Sequence, residues 1–121
     1  MIDNNIIRQK SKQFAIRIIN LYKFLSNKSE FVISKQILRS GTSIGANIAE
    51  SVRAESTADF VHKLSISRKE AEESLYWLEL LFEGDYIEET LFNSMKCDCE
   101  ELLKLLTSII KSSRNKIVTN N

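Results

Sequence analysis

Apolar residues recur at threes and fours along almost the whole chain, and no stretch alternates with the period of two that a strand requires. From about residue 29 to 54, Ile33, Ile37, Gly41, Ile44, Ile48 and Val52 fall on one stripe of a 3.6-residue helix. Gly41, Gly45 and Ala49, each four residues apart, border that stripe and predict a close approach by another backbone. A glycine inside a helix costs up to ~1 kcal/mol against alanine, and close packing is the expected compensation. The opposite face carries Gln36, Ser40, Ser43, Asn47, Glu50 and Ser51, small hydrogen-bonding groups suited to a second, polar contact.

Three further helices follow from the same periodicity. The first spans about residues 4 to 26, with Ile7, Phe14, Ile18, Leu21, Tyr22 and Leu25 inward and Arg8, Lys12, Lys23, Ile16 and Ile19 outward. Its outer face reads as a phosphate-binding patch, an interface toward an acidic partner, or a solvated surface. Ser26 to Ser29 form a turn, and Ser29 or a neighbour is expected to start the second helix. Ser56, with Asp59 three residues on, opens the third like a capping box. That helix runs to about Glu83 on a stripe of Phe60, Leu64, Ser67, Ala71, Leu75, Leu78 and Phe82, and Gly84 is expected to close it as a left-handed cap. A second apolar set, Ile66, Trp77, Leu80 and Leu81, interleaves with Glu70 and Glu73. It reads as an exposed Trp-centred subunit interface or as simple partial burial. The fourth helix, about 87 to 112, packs Leu91, Met95, Cys99, Leu102, Leu103, Leu106, Ile109 and Ile110.

Four long helices with short connections and no proline predict an all-α fold, an up-and-down antiparallel four-helix bundle. Residues 1–112 make one domain and 113–121 a polar, disordered tail. Net charge is +1, which recruits neither nucleic acid nor membrane globally. The charge is unevenly spread: residues 1–29 carry six basic and one acidic side chain (+5), residues 55–84 three basic and seven acidic (−4). That polarity favours pairing between the first and third helices, within or between chains. Cys97 and Cys99 stand on roughly opposite sides of a helix, Cys99 inward and Cys97 at the surface, and cannot bridge each other. With no signal peptide and no apolar run of ~20 residues, the expected setting is the cytoplasm, away from any membrane.

Chemistry is sparse. A carboxylate-bridged metal site in a bundle needs two Glu-x-x-His motifs, whereas this chain has one histidine, His62, paired at that spacing only with Asp59. Glu70 and Glu73, three apart on one helix, are expected to meet Arg68, Lys69 or a neighbouring chain's Arg53 rather than act as acid and base. No nucleophile has a predictable base, and the Gly-x-x-x-Gly lacks a phosphate-loop lysine. The expectation is therefore a non-enzyme with no cofactor, no metal and no small-molecule substrate.

The segment Ser43-Ile-Gly-Ala-Asn-Ile-Ala-Glu-Ser, then Asp59-Phe60, then Lys63 through Leu81 with its Glu-Ala-Glu-Glu run, resembles a known family. The chain is similar over about residues 5 to 112 to four-helix bundle proteins encoded in intervening sequences of bacterial 23S ribosomal RNA genes. The resemblance implies an up-and-down bundle whose characterised relatives form ring-shaped pentamers of unsettled molecular role. A more distant branch assists the reverse transcriptases of diversity-generating retroelements and binds nucleic acid. Asn47, Glu50, Arg53, Glu70 and Glu73 match the family's polar signature, while Ser51 stands where many members have glycine. The strongly basic surface of the retroelement branch is absent.

Two functional expectations result. The first is a homo-oligomeric scaffold, likened by resemblance to a pentamer, with Asn47, Glu50, Arg53, Ile66, Glu70, Glu73, Trp77 and Leu80 at its interface. The alternative is a weak RNA- or DNA-binding accessory protein using Arg8, Lys12, Arg17 and Lys23 on the first helix.

Overall fold

The computed structural model describes the backbone of residues 5–120 and the side chains of residues 5–116. Its elements are α1 (Asn5–Asn27), α2 (Ile33–Ser51), α3 (Thr57–Glu83) and α4 (Glu89–Asn120). Each helix packs closely on two neighbours: α1 on α2 and α4, α3 on α2 and α4, with the diagonal pairs meeting only across the core. Cross-contacts fix the directions. Gly45 lies against Ser11 and Gly41 against Ile18, so α2 descends as α1 rises. Ser40 meets Ser74 while Ile44 meets Ser67, and Lys10 pairs with Glu101 while Arg17 pairs with Asp98. The result is the antiparallel bundle that the periodicity predicts.

The glycines of α2 work as anticipated, and their partner is α1. A Cβ built on Gly41 would stand 2.6 Å from Cγ1 of Ile18, itself fully buried. On the far side of α2, Ser40 and Ser74 hydroxyls meet at 2.8 Å, and Ser67 Oγ donates to the Ile44 carbonyl at 2.8 Å. Small residues thus let both neighbours approach one helix closely. Ser40 and Ser51, expected on an outer polar face, are buried.

The buried face of α3 is Val61, Leu64, Ser67, Ala71, Ser74, Leu78 and Leu81. It follows a coiled-coil-like 3.5-residue repeat, so Phe60, Leu75 and Phe82 of the anticipated stripe sit at its border and are only partly buried. Leu81, expected at the surface, is fully buried, and Val52, expected in the core, is exposed because α2 has already ended.

Chain turns differ from expectation in their choice of residue. Ser29 does not cap α2; it takes φ 63° just past α1, where Ser29 N–H donates to Ser26 O and Glu30 N–H to Leu25 O. This is a Schellman ending. Asp85, not Gly84, takes the same left-handed role after α3, with Asp85 N–H to Phe82 O and Tyr86 N–H to Leu81 O. Gly84 itself has φ −87°. The cap of α2 is the buried Glu30 carboxylate, which accepts from the N–H groups of Val32, Ile33 and Ser34 at 3.2, 3.1 and 2.6 Å. Burial would raise its pKa, but those three bonds and the Ser34 hydroxyl outweigh it and hold Glu30 below the ordinary value of 4.5. At α3 the Ser56 cap is as read, its Oγ accepting from Asp59 N–H at 3.0 Å.

The fourth helix does not stop near residue 112; it continues through Asn120, so the expected disordered tail is helical over residues 113–120. Neither glycine nor proline interrupts it, and Ser113 is buried. Ser113 lies level with the first turn of α3, as far beyond Cys99 as Thr57 lies before Ala71, the residue whose carbonyl Cys99 touches. Residue 121 of that tail lies outside the described residues.

Two substitutions test this framework. Gly41→Ala gains up to ~1 kcal/mol of helix propensity but overpacks a stiff β-branched neighbour by about 1–3 kcal/mol. A net loss of roughly 1–2 kcal/mol and a melting temperature lower by about 5 °C should follow in a thermal circular-dichroism scan. Glu30→Gln should cost about 1 kcal/mol in urea unfolding at pH 7. Because the folded pKa of Glu30 is depressed, its contribution is complete above the unfolded value and disappears as pH falls through the folded one. The gap between variant and wild type should therefore narrow as pH falls below the unfolded carboxylate value and through the lower folded one; a gap that stays constant into acid would disprove the carboxylate cap.

Candidate functional site

Five of the residues singled out for an interface, Ile66, Glu70, Glu73, Trp77 and Leu80, recur at fours and threes on α3 and share its α2-facing outer side, all partly buried. Across the seam on α2 run Arg39, Ser43, Asn47 and Glu50, again at fours and threes. Glu50 is exposed, and Asn47 spends its amide on its own helix, donating to Ser43 O at 2.9 Å. Arg53 is exposed beyond the end of α2, apart from the seam.

The expected partners of the two carboxylates, Arg68, Lys69 or a neighbouring Arg53, are not the ones they use within the chain. Arg39 forks across the seam, Nη1 to Glu70 Oε2 at 2.8 Å and Nη2 to Glu73 Oε2. Burial would lower the pKa of its guanidinium, but the charge of Glu70, then the hydrogen bond and charge of Glu73 and the hydrogen bond of Glu70, outweigh this and raise it. Glu73 Oε2 also accepts from the Trp77 indole N–H at 3.0 Å. Tyr76, missed in the sequence, stands exposed with its ring edge-on to Trp77, centroids 5.2 Å apart at 62°. The patch is therefore not an exposed tryptophan. It is a half-buried indole fixed by a carboxylate that an arginine fixes in turn. The sequence held one signal for Arg39: it stands three and four residues from Gln36 and Ser43 on the polar side of α2.

The candidate nucleic-acid residues are divided. Arg17 reaches Asp98 on α4 at 2.7 Å, beside the Lys10–Glu101 pair at 3.0 Å. Arg8 and Lys12 instead line a groove of about 440 Å³ between α1 and α2, which the small residues Ala15, Gly45, Ala46 and Ala49 also line. Lys23 is exposed farther along α1, near the exposed Ile16 and Ile19.

Among the described residues, no three His, Cys, Asp or Glu side chains converge as a metal site would require, and no helix is long and apolar enough to cross a membrane. His62 is exposed. Cys97 is an exposed free thiol; Cys99 is buried, donates to Ala71 O at 3.2 Å, and is pushed up to about 12 by burial and the adjacent Glu100 and Asp98.

A family model described as 23S rRNA-intervening sequence protein matches residues 3–108, the four helices but for the last turns of α4. The chain belongs to this family. A crystal structure at 1.70 Å of a protein of unknown function from the S23 ribosomal protein family of Bacteroides thetaiotaomicron VPI-5482 superposes with a TM-score of 0.88. The two are 58% identical, over 89% of this chain and 97% of that one. No curated protein matches the chain. The family is one of unknown function, so the bundle is secured by kinship while its use must be argued from surface chemistry.

The Arg39 fork is directly testable. A double-mutant cycle with Arg39→Met and Glu73→Gln, followed by urea unfolding, should give a coupling of about 0.5–1 kcal/mol, as befits a partly exposed pair. Zero coupling would mean that the seam is an ordinary solvated surface.

Proposed function

We propose that this chain is a non-enzymatic, self-assembling interaction protein of the cytoplasm, a ring-shaped homo-oligomer that acts as a scaffold. The pentameric count comes from family resemblance. The observation that carries the reading is the α2–α3 seam, where Arg39, Glu70, Glu73 and Trp77 hold one another in place beside an exposed Tyr76. Aromatic side chains already ordered before contact lose little entropy on binding, and Trp, Tyr and Arg dominate interface energetics.

Nucleic-acid binding through α1 is the second reading, supported by Arg8 and Lys12 lining one groove. It loses strength because Arg17 is already committed to Asp98.

Light scattering on the wild-type chain should return a multiple of 13.9 kDa, five times that mass if the family's pentamer applies. Trp77→Ala should lower the native mass while helical circular dichroism is retained. A wild-type mass of 13.9 kDa would overturn self-assembly. An unchanged mass for Trp77→Ala would remove the seam from the interface. Phosphate-mediated binding would instead announce itself as nucleic acid that co-purifies at ~50 mM salt and departs as salt rises.

A further inference from the structure

We propose that the groove between α1 and α2 is the seat for the outer face of α3 from a second copy of this chain, so that copies join head to tail. The inference rests on the self-assembly reading and deepens it by naming the surface that α3 meets.

The first support is electrostatic. Basic α1 and acidic α3 occupy diagonal corners of the bundle with no close backbone approach, so the charges on their outer faces lie apart within one chain. Lys10 and Arg17 are taken by α4, and Glu70 and Glu73 by Arg39. Arg8 and Lys12 are left on one side and Glu72, Glu79 and Glu83 on the other, none of them in an ion pair among the described residues.

The second support is shape and spacing. On α3, Tyr76 is exposed and shares a face with Glu72, Glu79 and Glu83 at steps of four, three and four. Along the groove, Arg8, Lys12 and Ala15 follow at steps of four and three. Laid antiparallel, Glu83 stands opposite Arg8, Glu79 opposite Lys12, and Tyr76 opposite Ala15, each pair advancing ~6 Å and then ~4.5 Å on both helices. The tyrosine ring then enters the groove of about 440 Å³ beside Gly45, Ala46 and Ala49, which carry no large side chain. Groove and ridge are different surfaces of one molecule, so the contact is heterologous, the type that closes into a ring when its rotation permits.

Charge exchange in the full chain tests this by light scattering over a concentration series. Lys12→Glu and Glu79→Lys should each weaken association at least ~10-fold, since attraction becomes repulsion, and a mixture of the two variants should recover it in part in trans, because alternating them around an odd-numbered ring leaves one like-charge contact. The double exchange in one chain should return to within ~3-fold of wild type. Tyr76→Ala should weaken association without altering its salt dependence. A wild-type monomer would overturn this inference together with self-assembly. An oligomer insensitive to Lys12→Glu and to Tyr76→Ala would overturn this inference alone. Loss of co-purifying nucleic acid from Lys12→Glu, with assembly unchanged, would overturn it in favour of nucleic acid as the occupant of the groove.

Discussion

The closeness with which α1 and α3 approach α2 is the constraint on which the bundle depends. Toward α1, α2 presents Gly41 and Gly45, and Ile18 and Ser11 fill the places their side chains would take. Toward α3, it presents Ser40 and the Ile44 carbonyl to Ser74 and Ser67. A serine can donate to a neighbouring helix's carbonyl, as Ser67 does to Ile44, only when the two backbones come nearer than leucine side chains permit. Glycine on one side and serine on the other are therefore two solutions to one requirement.

That requirement also shapes the surface. Where α2 and α3 close together over serines, the long side chains flanking the seam are drawn within reach of each other, and Arg39 spans to Glu70 and Glu73. Where α1 and α2 close together over Gly45, with Ala46 and Ala49 beside it, nothing large fills the outer edge, and a groove remains. One seam acquires an ordered aromatic ridge and the other a shallow cavity, both consequences of which small residue α2 turns to which neighbour.

Four helices, their order and the glycine contact were legible because apolar periodicity and small-residue spacing are local properties of the chain. The register of α3 was misread since a 3.6-residue wheel drifts over 27 residues, whereas a bundle helix keeps its face by supercoiling, which brings Leu81 inside and leaves Phe60 and Phe82 at the border. The turns depart from expectation because Ser29 closes α1 rather than starting α2, and Asp85 rather than Gly84 takes the left-handed position, each where backbone hydrogen bonds close the helix. Arg39 escaped notice because its partners are about thirty residues away on another helix, a relation that no wheel displays.

The net charge of +1 conceals the most consequential feature of the molecule. Had basic α1 and acidic α3 been neighbours, as sequence alone allows, their charges would have cancelled inside the monomer. Up-and-down threading puts first and third helices on opposite corners whatever their composition, so charge segregated between them by sequence becomes polarity of the folded surface. A domain of this topology whose first helix is basic and third acidic keeps its monomer intact and its surface two-sided. Attraction that cannot be satisfied within one chain is then available to act between chains, where antiparallel helices of matching spacing can meet.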